Sequence, residues 1–129
     1  MMQTCYSAME DVDALPITEF ANFLLLETSA CIELILQLCA AIEYLSSQGL
    51  APLDLKPENI LVTASGRLKI ADFGRTAPAG ERAFEGDSIG VLLREMLGPA
   101  CSPELDRSIA RAASARSAAG FAQRLQRLL

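Results

Sequence analysis

Asp54, Lys56 and Asn59 fall within six residues of one another, and a second carboxylate, Asp72, follows Asn59 by thirteen. A carboxylate can orient an attacking hydroxyl, and a nearby cation can offset charge that builds on a moving group. The oxygens of an Asn and an Asp suit a hard divalent cation such as Mg²⁺. Phosphoryl transfer is the chemistry that asks for all of these parts together. Gly74, two residues beyond Asp72, permits a sharp bend of the chain. The sequence has no histidine, and its four cysteines show no CxxC spacing, which excludes a zinc site and a histidine general base.

The elements that must position this set are mostly helical. Residues 4 to 12 read as a short strand running into a linker, and Leu15-Pro16 breaks the chain before an apolar helix at about Thr18 to Leu26. Ser29 is placed to cap a long helix from Ala30 to Ser47, whose apolar positions 31, 34, 35, 38, 39, 42 and 45 keep helical spacing. Gly49 suits the position just past its end. Asn59 to Thr63 and Arg67 to Ala71 form a hairpin with Gly66 at the turn. A loop rich in Gly, Ala and Pro fills Gly74 to about Gly86. Asp87 then caps a helix through Leu97, stopped by Gly98-Pro99. Ser102-Pro103-Glu104 opens another helix, and a last one runs from Ser117 with Phe121, Leu125 and Leu128 on one face. The expected fold class is mainly α with a small β hairpin, in a single domain over 1–129.

Composition sets the outer bounds. The chain is 51% hydrophobic and 21% charged, as in a globular domain with one core. Cys31 and Cys39 sit eight residues apart in an apolar helical stretch and read as buried thiols. No signal peptide is visible, and Glu27, Glu33, Gln37 and Glu43 interrupt the most apolar region, so neither a membrane span nor a membrane partner is expected. The first 53 residues hold seven acids and no Lys or Arg, which argues against nucleic acid as a partner of that face. Residues 101 to 129 hold five Arg against two acids. Solvated faces of opposite sign explain this asymmetry, and a docking surface for a basic partner is the alternative. A reducing cytoplasm is the expected compartment, a host cytosol included.

The block Asp-Leu-Lys-Pro-Glu-Asn at 54–59 and Asp-Phe-Gly at 72–74 resembles the catalytic loop and metal-binding segment of eukaryotic-type Ser/Thr protein kinases. Tyr6 to Val12 is similar to that family's last N-lobe strand and hinge, Gln37 to Leu50 to the helix before its catalytic loop, and Asp87 to Leu97 to its central C-lobe helix. Pro103 to Leu129 resembles the last two helices of the C-lobe. No glycine-rich loop and no Val-Ala-Ile-Lys-type strand occurs in these residues. The resemblance therefore implies a C-lobe without its N-lobe: a strand and hinge remnant over 1–14, catalytic loop and Asp-Phe-Gly over 51–74, and a shortened activation segment over 75–86.

By that resemblance Asp54 and Lys56 are catalytic, and Asn59 and Asp72 hold Mg²⁺. Met9, Glu10, Val12 and Leu61 then contact ATP, Met9 as gatekeeper. Pro52-Leu53 stands where the family has His-Arg, which puts activation by loop phosphorylation in doubt. Ala83-Phe84-Glu85 is similar to the family's Ala-Pro-Glu, with Arg116 at the position that pairs with its carboxylate. An unpaired surface arginine is the other reading. Three functions stay open. One is a minimal or split kinase that uses Mg·ATP on Ser/Thr of a protein substrate, with an N-lobe-bearing chain as partner. The second is a pseudokinase scaffold, and the third a truncated fragment without activity.

Overall fold

The computed structural model describes residues 14–52, 56–70, 76–78 and 84–129. Strand β1 (Leu15–Pro16) leads into helix α1 (Ile17–Phe23), and helix α2 (Thr28–Ser47) follows. Strand β2 (Leu50–Pro52), a 3₁₀ turn (Pro57–Asn59), β3 (Ile60–Val62), β4 (Leu68–Ile70) and β5 (Thr76–Pro78) form the middle of the chain. Helix α3 (Gly86–Leu97), a 3₁₀ turn (Gly98–Ala100), α4 (Pro103–Ala113) and α5 (Ala118–Gln126) complete it. The mainly helical fold expected from the sequence is what forms.

Helix α2 is the axis of the core. Its buried residues Cys31, Ile32, Leu34, Ile35, Leu38, Cys39, Ile42 and Leu45 follow the three-to-four spacing of one helical face. All but Leu45 belong to one cluster with Phe121 and Leu125 of α5, Ile89 and Leu93 of α3, and Ile17 of α1. By length and composition alone α2 could cross a membrane, since only Glu33 and Glu43 are charged between Thr28 and Ser47. The expectation that its acids exclude a span was thus too strict; the helix spends its apolar residues on the core.

The sheet is larger than one hairpin. β3 and β4 pair antiparallel with Ile60 opposite Ile70 and Val62 opposite Leu68, and Gly66 takes φ +83° at the turn. β1 adds an edge, Leu15 opposite Val62 and Pro16 opposite Leu61. Pro16 is tolerated there because an edge position need not donate to a further strand. β2 and β5 form a second ladder, from Leu50 opposite Pro78 to Pro52 opposite Thr76. The stretch expected to be loop from Gly74 to Gly86 therefore contains a strand. Two- and three-residue strands have no periodicity to read; only the distant partner defines them.

Helix ends also depart from expectation. α2 starts at Thr28 behind Glu27, with no side-chain cap, so Ser29 lies inside its first turn. α3 starts at Gly86 behind Glu85, and Asp87 lies in its first turn, where a carboxylate complements the helix dipole without bonding an amide. Ser102 and Ser117 do cap: their hydroxyls accept from the amides of Leu105 and Gly120, each at 3.1 Å. The last helix ends at Gln126, which leaves Leu128 partly exposed. Gly49, at φ +75°, follows α2 as expected.

Candidate functional site

Of the residues singled out by their chemistry, Lys56, Asn59 and Leu61 fall in the described structure. Asp54, Asp72 and the expected nucleotide contacts Met9, Glu10 and Val12 lie outside it, as does the strand expected over residues 4 to 12. Lys56 is exposed and extended, and its carbonyl accepts from the Asn59 amide at 2.9 Å. Pro57 at the first position of the 3₁₀ turn fixes φ and gives up an amide that the turn does not need. This tight turn delivers Asn59 to the start of β3. Asn59 is half-buried, and its carboxamide makes no hydrogen bond to another described residue.

Leu61 is the middle residue of the middle strand. Strand alternation buries Ile60 and Val62 in the core and turns Leu61, half-buried, to the opposite face. It stands between Pro16 on β1 and Lys69 on β4. An apolar side chain on that face, beside a turn carrying a lysine and an asparagine, gives a surface with both apolar and polar contacts to offer.

The ladders set where the site can be. The register Ile60 opposite Ile70 ends β3 and β4 at one edge, the edge at which Lys56–Asn59 enters. Position 72 lies two residues past Ile70, a reach of at most about 7 Å. Position 54 lies two residues past Pro52, and Pro52 is paired with Thr76, four residues after position 72. The residues that flank these two positions in sequence, Pro52, Ile70 and Thr76, are thus all paired in ladders.

A polar residue not anticipated from the sequence holds this arrangement to the core. Gln37, on the exposed side of α2, donates from Nε2 to the Gly66 carbonyl at 3.1 Å. Its Oε1 accepts from the Leu68 amide at 3.1 Å. Thr63, buried, closes the same turn: its hydroxyl bonds Ser65 at 2.9 Å and accepts from the Arg67 amide at 3.2 Å. A glutamine among apolar helix positions is ordinary in sequence, and only the packed hairpin shows its use.

Of the two readings of Arg116, the surface arginine is what the structure has: it is exposed, and no pair with Glu85 forms. Glu85 accepts from the Ser88 hydroxyl at 3.2 Å, and Arg94 forms an ion pair with Asp106. The segment before α3 is anchored by apolar contacts instead. Phe84 meets Phe121 edge-on at 6.1 Å, and Gly86 packs so closely on Ala113 that an added Cβ would stand 2.3 Å from its carbonyl oxygen.

Cys31 and Cys39 are free and buried, as expected. Burial pushes the Cys39 thiol up to about 12, with Glu43 one turn away adding to the effect, and burial raises Cys31. Neither is a nucleophile at neutral pH. Among the described residues no cluster of three His, Cys, Asp or Glu could hold a metal. Asn59 offers an oxygen donor, and together with an Asp it makes the oxygen-only set that fits Mg²⁺.

The family model for the protein kinase domain matches residues 3–86, well over half of the chain. The human serine/threonine-protein kinase SBK2 is 42% identical over 71 residues, which is 53% of this chain and 20% of that protein. The serine/threonine-protein kinase CHK1 of Mycosarcoma maydis is 60% identical over 38 residues, 30% of this chain and 6% of that protein. The 3-phosphoinositide-dependent protein kinase 1 of Arabidopsis thaliana is 55% identical over 38 residues, 30% of this chain and 8% of that protein. The chain thus spans a fifth or less of the length of these relatives.

Proposed function

Because the chain belongs to the protein kinase domain family, we propose that residues 54–74 form the metal-binding and catalytic half of a Ser/Thr protein kinase site. Asp54 orients the acceptor hydroxyl of a protein substrate and takes up its proton, and Lys56 offsets charge on the group in transit. Asn59 and Asp72 would hold Mg²⁺, which would supply positive charge to offset that of the phosphates. The backbone at Glu10 and Val12, beside Met9, holds the adenine edge of ATP, and Leu61 supplies an apolar contact to the ring. The setting is a reducing cytoplasm, where Cys31 and Cys39 stay thiols. A nucleotide clamp, with a glycine loop and a strand lysine, has to come from outside these 129 residues, on a partner chain or further sequence.

The observation that carries this reading is the strand pairing around these positions. Ile60, next to Asn59, is opposite Ile70, and the paired Pro52 and Thr76 flank both carboxylates in sequence, which supports the reading. A pseudokinase scaffold is the second reading. It is favoured by Phe23, Leu24 and Leu25, consecutive apolar residues that are 78%, 51% and 85% exposed.

Calorimetric titration with Mg·ATP, beside an Asp72→Ala variant and a metal-free control, separates the two. Metal-dependent binding that the variant loses supports the half-site. Absence of binding, with folding intact by circular dichroism, rules out a half-site that works alone and leaves the scaffold or a lobe that awaits its clamp.

A further inference from the structure

Helices α4 and α5, with the residues just past their ends, border an open cleft of about 330 Å³, lined by Ser108, Arg111, Ser114, Arg124, Arg127 and Leu128. No acidic side chain lines it, and the Arg94–Asp106 ion pair lies outside it. Three exposed arginines thus border one concavity, in a chain whose net charge is −5. Like charges held together repel, and an anion between them reverses the sign of that interaction.

The cleft is also partly built. Arg124 donates from Nη1 to the Arg111 carbonyl at 2.7 Å and to the Ser114 hydroxyl at 3.0 Å. The Ser114 hydroxyl in turn donates to the same carbonyl at 2.8 Å. These bonds spend one nitrogen of the guanidinium and leave its Nε and Nη2 donors for a ligand. The Arg111 and Arg127 guanidinium groups bond no described residue, and neither does the half-buried hydroxyl of Ser108. The site therefore presents one fixed fork, two adaptable ones and a hydroxyl donor.

We propose that this cleft recognises a phosphorylated serine or threonine on a protein partner. A phosphomonoester carries close to two negative charges and three acceptor oxygens, which matches several forked donors, whereas one carboxylate would leave most of them unused. Arginine clusters are a recurrent physical solution for reading such groups in peptides. The cleft is larger than a phosphate group alone, and Leu128 offers an apolar wall to residues flanking it. The acidic first 53 residues, with no Lys or Arg, disfavour a long polyanion such as RNA, which would have to pass other faces of the molecule. The inference rests on the α4–α5 packing and is independent of nucleotide binding.

The test is nuclear magnetic resonance of arginine Nε–Hε groups in the full ¹⁵N-labelled chain. The probes are a phosphoserine/phosphothreonine peptide mixture with randomised flanks, the same mixture unphosphorylated, inorganic phosphate, and a single-stranded RNA oligonucleotide. The phosphorylated mixture is expected to shift the Arg111, Arg124 and Arg127 signals and to bind at least tenfold tighter than each other probe. An R111Q/R127Q variant should lose at least tenfold with an unchanged melting temperature, because neither guanidinium supports the fold. An R111K/R127K variant, with charge kept and forks removed, should lose less. Equal response to both peptide mixtures, response to phosphate or RNA alone, or wild-type binding by R111Q/R127Q overturns the proposal.

Discussion

Gln37 and Gly66 are 29 residues apart in sequence and joined by a 3.1 Å hydrogen bond from the Gln37 carboxamide to the Gly66 carbonyl. The other end of the same carboxamide accepts from Leu68. One side chain therefore fastens the β3–β4 turn to the central helix. Gln37→Ala is expected to cost about 1–2 kcal/mol, the net worth of two partly exposed hydrogen bonds. Urea denaturation read by circular dichroism measures it, and a loss below the error of the method would show that the turn holds itself.

Gly86 and Gly90 sit one turn apart on α3 and should respond oppositely. A Cβ at Gly86 meets the Ala113 carbonyl oxygen at 2.3 Å, a backbone atom that cannot step aside. Gly86→Ala should destabilise by roughly 1–3 kcal/mol, the range for overpacking. At Gly90 the nearest contacts are side-chain atoms at 3.4 Å. Gly90→Ala should be neutral or stabilise by up to about 1 kcal/mol through helix propensity. Thermal melts of the two variants side by side decide this.

Alkaline pH should weaken the fold through Cys39. Its folded value of about 12 lies above its ordinary 9.0, so from pH 9 upward the unfolded chain loses a proton that the folded chain keeps. Stability then falls with rising pH at up to roughly 1.4 kcal/mol per pH unit between 9 and 12, and is flat in this respect below 9. Cys39→Ala should be less stable near neutrality, because it leaves a cavity, yet show a shallower decline above pH 9. Equal slopes in chemical denaturation at pH 8 and pH 10 would count against a role for this thiol.

Two arginines test how much a visible contact is worth. Arg124 bonds the Arg111 carbonyl and the Ser114 hydroxyl at the end of α4, so Arg124→Ala should cost about 1–2 kcal/mol. Arg94 pairs with Asp106 at the surface, with side chains 33% and 52% exposed, and Arg94→Ala should cost under about 1 kcal/mol. Reversal of that order in denaturation experiments would mean that the surface pair is the stronger tie.

Much of this was legible in the residues. Family membership agrees with the resemblance carried by the block that holds Asp54, Lys56, Asn59 and Asp72. α2 was readable because its buried positions repeat with the helix, and Ser102 because its hydroxyl caps as such residues do, whereas Ser117, read as the first residue of its helix, is the cap before it. The starts of α2 and α3 were not, since Glu27 and Glu85 enter those helices without a side-chain bond that a motif could betray. The β2–β5 ladder stayed hidden because Leu50 and Pro78 acquire meaning only opposite each other. The arginine cleft escaped for the same reason: Arg111 and Arg124 are thirteen residues apart on two helices, and the sequence showed only a basic excess.

Pro16, at the outer strand of the three-stranded sheet, bears on how these molecules behave in company. Lacking an amide hydrogen, it offers an incoming strand one donor fewer, and β1 is only two residues long. Strand-by-strand stacking of one chain on another, the usual start of sheet-driven aggregation, finds little to hold at that border.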